Sequence, residues 1–125
     1  MPAEESWERK WKKRTGALCL PYTVQVVIPH TCRPNCAKAY QELRHEMTRL
    51  FGGSTTYSAE GAWVDPKGKL VPDKVKVIES AHSCMTPTEE QKFERMVYRA
   101  ANIAKQDAMA IKTGQYLILP TKVKR

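Results

Sequence analysis

Thr23-Val24-Gln25-Val26-Val27-Ile28 is the stretch on which the fold turns. Alternate side chains of an extended chain share a face, so Val24, Val26 and Ile28 line one side and Thr23, Gln25 and Val27 the other. Helical spacing follows over about Cys36 to Phe51. Tyr40, Leu43, Met47 and Leu50/Phe51 recur at intervals of three and four, with Glu42, Arg44 and Arg49 elsewhere. Asn35 reads as the N-cap, and Gly52-Gly53 stop the helix. Ser54-Thr55-Thr56-Tyr57 opens a second strand that runs to Trp63-Val64. Asp65-Pro66-Lys67-Gly68-Lys69 is a turn by composition. The third strand, Lys74-Val75-Lys76-Val77-Ile78, sends valines to one face and lysines to the other.

The same rise and fall then repeats. Thr86-Pro87-Thr88-Glu89 is a capping box with proline at the first helical position. The spacing predicts a helix from Pro87 to about Lys112, with Phe93, Val97, Ala100, Ala104 and Ile111 on its buried stripe. Met96 and Ile103 flank that stripe. Gly114 ends this predicted helix, and a final strand covers Tyr116 to Leu119. The order βαββαβ predicts a ferredoxin-like two-layer α/β sandwich with strand order 4-1-3-2 and both helices on one face. On this reading strands one and three are parallel neighbours. The uncovered face is semi-polar and invites a ligand or a second subunit.

The chain has 125 residues and a formal charge of +8. That length suits one domain, read as residues 21–125 with a short basic tail, preceded by a basic arm over 1–20. No apolar run approaches the roughly 18–20 residues that cross a bilayer, so no membrane role is expected. The opening Met-Pro-Ala-Glu-Glu-Ser-Trp lacks the features of a signal peptide, and the expected location is cytoplasmic. Cys19, Cys32, Cys36 and Cys84 are then expected to be free or metal-bound rather than disulfide-paired. Positive charge gathers at the ends, in Arg9, Lys10, Lys12, Lys13 and Arg14 and in Lys122, Lys124 and Arg125. Such tails attract polyanions by counterion release, so these residues are the candidate nucleic-acid contacts. Trp7 and Trp11, one turn apart, read first as a packing stripe and second as a platform for bases.

Phe51-Gly52-Gly53-Ser54-Thr55, Glu60-Gly61-Ala62-Trp63, Gly68-Lys69-Leu70 and Gly114-Gln115 together resemble a family of short prokaryotic, phage and plasmid proteins. That family is known as a domain of unknown function with ferredoxin-like architecture. The resemblance spans about residues 22–120, and its motifs are specific as a set rather than singly. It implies a fold and mobile-element ancestry and carries no reaction. Physically, Gly52-Gly53 suit a left-handed cap. Gly61 suggests a bulge or close contact, and Trp63 is large enough to anchor a sheet face. Glu60 with Tyr57 is a candidate acid–base pair, against the plainer reading of Glu60 as a solvated carboxylate.

Two tripeptides, His30-Thr31-Cys32 and His82-Ser83-Cys84, each sit just past a strand end. If those strands are parallel neighbours, His30, Cys32, His82 and Cys84 converge at one sheet edge, with Cys36 one helical turn beyond Cys32. Thiolates and imidazoles suit tetrahedral zinc, and a Cys–His pair can activate a thiolate at Cys84. The spacing matches no standard zinc signature, so no cofactor is expected, with zinc the alternative. The leading expectation is a small non-enzymatic binding protein, homo-oligomeric, using its open sheet face or a subunit interface. The alternatives are weak nucleic-acid binding through the termini and a small enzyme or metal site at the His/Cys edge. Base stacking on the sheet is disfavoured because strands one and three carry no aromatic residue.

Overall fold

The structure, a computed structural model, describes residues 6–16, 20–29, 34–106, 109–114 and 117–118. Its elements are α1 (Trp7–Thr15), β1 (Tyr22–Pro29), α2 (Asn35–Phe51), β2 (Thr55–Val64), β3 (Leu70–His82), α3 (Pro87–Ala104), β4 (Ala110–Thr113) and β5 (Leu117–Ile118). The strands form one sheet in the order β2-β3-β1-β4-β5, and every neighbouring pair is antiparallel. This is an α+β architecture.

Valine and isoleucine on alternate positions make β1 a strand that faces a core on one side only. Val24, Val26 and Ile28 are buried, and Val26 lies between Ile78 of β3 and Ile111 of β4. Against this face pack Cys36, Ala39, Leu43 and Met47 of α2 and Phe93, Met96, Val97, Ala100, Ala101 and Ala104 of α3. Phe51 meets Phe93 and Glu46 meets Arg99, so the two helices run antiparallel. Ser80 is buried among them, and its hydroxyl donates to the Gly53 carbonyl at 2.9 Å, tying β3 to the end of α2.

The helix ends show how local chemistry sets these boundaries. Thr86 accepts from the Glu89 amide while the Glu89 carboxylate accepts from the Thr86 amide, and Pro87 follows, completing the capping box. Gly52 closes α2 at φ 86°, its N–H donating to Thr48 O at 2.9 Å. Asn35, expected as N-cap, is the first helical residue instead; the cap position falls to Pro34, with no side-chain cap bond.

Three expectations are corrected. α3 ends at Ala104, where Lys105 takes the left-handed cap at φ 55°, and the expected helical Ile111 belongs to β4. The strand beside β1 is therefore Ala110–Thr113, and the expected final strand is reduced to a fifth, outer one, so the order differs in detail from 4-1-3-2. β1 and β3 are antiparallel, not parallel. The reason is a count of reversals: a helical crossover returns β2 in the direction of β1, and the Asp65–Lys69 hairpin then turns β3 back. Asp65 holds that hairpin by accepting from the amides of Lys67 and Lys69, with Gly68 at φ 80°.

β2 and β3 outrun their neighbour. β1 stops at Pro29 opposite Val75, whereas pairing between β2 and β3 continues from Glu60↔Lys74 to Val64↔Leu70. The hairpin thus projects as a two-stranded arm about 17 Å long, at roughly 3.4 Å per residue. Trp63 lies on it and is 52% exposed, so it does not anchor a sheet face as expected. Gly61 pairs regularly with Asp73, without the expected bulge.

Candidate functional site

On the face away from α2 and α3, no helix is seen packed on the sheet among the described residues. From β1 this face carries Thr23, Gln25 and Val27; from β3, Val75, Val77 and Glu79; from β2, Thr55 and Tyr57. Gln25 lies directly across from Glu79, and Tyr57 stands diagonally beyond Glu79 on the far side of β3. Diagonal neighbours are about 7–8 Å apart, within reach of long side chains. Gln25 Nε2 bridges the gap. It donates to Tyr57 Oη at 2.8 Å and to Glu79 Oε1 at 2.7 Å.

Both amide hydrogens of Gln25 are therefore spent. The Tyr57 oxygen accepts one, which leaves the phenolic proton to donate outward. Glu79 accepts with one oxygen, which leaves the other for a ligand. Glu79 and Gln25 are half-buried and Tyr57 is 41% exposed, so the trio is anchored yet open to solvent. Val27 and the buried Val77 give it apolar walls.

A second cluster lies at the opposite face, at the edge where α2 ends and α3 begins. Tyr22 stacks on His82 with ring centroids 5.6 Å apart, and Phe51 packs on His82 at 5.2 Å. His82 Nδ1 is 2.6 Å from Ser83 O. Cys84 is free and exposed, and its Sγ donates to the Tyr22 hydroxyl at 3.6 Å. The hydrogen bond with Cys84, then the charge of its thiolate, then desolvation hold the Tyr22 hydroxyl above its ordinary value. Beside this edge, Val24, Phe93, Val97 and Ile111 line a cavity of about 300 Å³ with scarcely any polar surface.

The sequence candidates separate accordingly. Tyr57 belongs to the open-face trio. Glu60 does not: it lies three residues on, on the other face, exposed and opposite Lys74. His82 and Cys84 sit where Tyr22 begins β1, while the chain leaves β1 at Pro29, seven residue steps away. At roughly 3.4 Å per step that is about 24 Å between the two strand positions. The antiparallel pairing removes the parallel strand ends on which the expected convergence rested. His30 and Cys32 themselves lie outside the described residues. Among the described residues, no three His, Cys, Asp or Glu side chains gather as metal ligands. Cys36 is disulfide-bonded, contrary to the expectation of free or metal-bound thiols; its partner lies outside the described residues, since Cys84 is free.

Of the basic candidates, Arg9, Lys10, Lys13 and Arg14 are exposed on α1, and Trp7 is 68% exposed. The side chain of Lys12 and residues Lys122, Lys124 and Arg125 lie outside the described set, as does the Trp11 side chain. Among the described residues no helix is long and apolar enough to cross a membrane.

Gln25 and Glu79 escaped the sequence reading. The alternation predicts a third strand that ends at Ile78, one residue short of Glu79, with Val75 and Val77 on one face and Lys74 and Lys76 on the other. The two lysines lie on the helix side, where Lys76 Nζ stands 5.8 Å from the Tyr40 ring centroid. A polar Gln in the middle of an apolar strand was the available signal.

No protein-family model and no curated protein matches the chain by sequence. Among solved structures, a phage SAM lyase in complex with S-methyl-5'-thioadenosine is similar in fold. Its TM-score is 0.53 at 9% identity, covering 83% of this chain and 84% of that one. The same description applies to a phage SAM lyase in the apo state, with a TM-score of 0.50 and 9% identity over 83% and 84% of the two chains. Those two solved structures are of an enzyme. They bear against the expectation of a non-enzymatic binding module, which rested on small size, the semi-polar sheet face and the lack of a catalytic constellation.

Proposed function

We propose that this chain is an enzyme acting on an S-adenosyl sulfonium, with its site on the uncovered sheet face at Gln25, Tyr57 and Glu79. The single observation that carries the reading is the Gln25 bridge between Tyr57 and Glu79. The fold shared with the SAM lyases supports it, and within that fold the ferredoxin-like arrangement remains our assignment.

The chemistry asked of such a site is modest. Breaking a carbon–sulfur bond of a sulfonium returns the bonding pair to sulfur, and S-methyl-5'-thioadenosine departs as a neutral thioether while an oxygen of the substrate's own carboxylate bonds to the carbon that sulfur leaves, closing a lactone. No proton has to be delivered to the leaving group. Positive charge on sulfur disappears in the transition state, so a carboxylate held against the sulfur would favour the ground state. Glu79 is better used on the substrate α-ammonium, where the charge persists. The free proton of Tyr57 can donate to the oxygen of the substrate carboxylate that does not attack, which orients the group. Val27 and Val77 keep water from the sulfur, which favours loss of charge there.

We also take the protein to be a homo-oligomer. Trp63, Val64 and Leu70 are exposed on the arm, at 52%, 61% and 65%, and an isolated two-stranded ribbon is marginal in water. Sedimentation of the parent and of a Trp63→Ser variant tests this: a parent that sediments as a monomer overturns it.

The function is tested by incubating the protein with S-adenosylmethionine and measuring S-methyl-5'-thioadenosine by mass spectrometry. Release that depends on Glu79 is the expected result. A protein that neither binds nor cleaves the sulfonium overturns the reading.

A further inference from the structure

The outer surface of the helical layer holds a groove of about 560 Å³ between the C-terminal half of α2 and the first turns of α3. Arg49, Lys92, Arg95 and Arg99 rim it, and Leu50 and Met96 form its floor. Two carboxylates share the groove, and both are committed. Glu46 pairs with Arg99 at 2.9 Å. Glu89 accepts from the Thr86 amide, which holds its carboxyl below the usual range, with Lys92 adding to the effect. Arg49 and Arg95 form no ion pair among the described residues.

Lys92, Arg95 and Arg99 lie at i, i+3 and i+7 and so form one stripe of α3. Like charges at these spacings repel along a helix. The stripe spans about 10 Å at 1.5 Å per residue, longer than one phosphoryl group and suited to two linked ones. Arginine presents a planar fork of donors that matches phosphate oxygens in pairs. The geometry points to a second ligand site here, for a small molecule bearing a diphosphate group, with Arg49 and Arg95 as its principal contacts from two facing helices. It lies on the opposite side of the molecule from Gln25, Tyr57 and Glu79, and it stands or falls independently of them.

The test uses inorganic pyrophosphate, which has no nucleoside and so no reason to occupy a sulfonium site. Calorimetric titration of the full chain at low salt is compared with an Arg49→Gln/Arg95→Gln double variant and with Arg14→Gln on α1. All three substitutions are at exposed positions, and unchanged thermal unfolding confirms the fold. The expected result is saturable binding that weakens roughly tenfold or more in the double variant, as loss of charged hydrogen bonds implies. Arg14→Gln should leave it within about twofold. Absence of binding to the parent overturns the site. Equal weakening by Arg14→Gln overturns it too, since it would mark diffuse attraction to a basic protein.

Discussion

Tyr22 lies directly across the sheet from His82. That pairing sets β3 running against β1, sends the chain ends of the two strands to opposite edges, and brings Cys84 back over the start of β1. It leaves the His82 edge as an aromatic stack closed by a thiol–phenol hydrogen bond.

The first prediction concerns that bond. Because Cys84 is the main cause of the raised Tyr22 value, Cys84→Ala should let the phenol fall back toward about 10. A pH titration of tyrosinate absorbance reads the shift, with Tyr22→Phe identifying which tyrosine moved. An unchanged titration in Cys84→Ala would show that the contact does not persist in solution.

The open-face trio gives a second. Glu79→Gln keeps the shape of the side chain but removes its charge, and should cut thioether release by roughly 100-fold, the scale typical of a lost electrostatic contact. Gln25→Leu frees Tyr57 and Glu79 from their common donor and should cost less, through misplacement of both. If Glu79→Gln retains parental turnover, the carboxylate has no role in the reaction.

How far the sequence discloses this molecule depends on how local each signal is. The β1 pattern, the α2 stripe and the Thr86 capping box are written in neighbouring residues and appear where they are read. The end of α3 is hidden because Lys105 adopts a left-handed cap that glycine usually supplies, while Met109, Ala110 and Ile111 prolong an apolar pattern past it. Tyr57 stands out as an aromatic beside a polar run. Glu79 acquires meaning only through its register with Gln25, fifty-four positions away, and that register follows from strand direction, which no single stretch encodes.

The core supplies a third prediction. Ile78 is fully buried in the core that the sheet shares with α2 and α3, and it pairs with Val26. Ile78→Ala should cost about 2–5 kcal/mol, the lost transfer energy plus the cavity it leaves. Chemical denaturation should show a lower midpoint with an unchanged slope. A cost under about 1 kcal/mol would mean that α2 and α3 do not close over this position.

The final prediction joins the helix cap to pH. Thr86 and Glu89 satisfy each other's backbone amides at the start of α3. Hydrogen bonding to the Thr86 backbone and side chain lowers the Glu89 pKa in the folded state. A depressed acid contributes stability that is present above its unfolded value, near 4.3, and is lost as pH falls through the lower folded value. Thr86→Ala removes one half of the box and loosens the other. It should cost about 1 kcal/mol at neutral pH, the usual penalty for a lost N-cap. It should also make the fall in stability between roughly pH 5 and the folded value shallower, because the side-chain share of the Glu89 depression is lost while the backbone amide at position 86 still donates to it. Thermal unfolding of parent and variant across that acid range tests both parts. Parallel curves, offset but equally steep, would show that Thr86 caps the helix without coupling Glu89 to it.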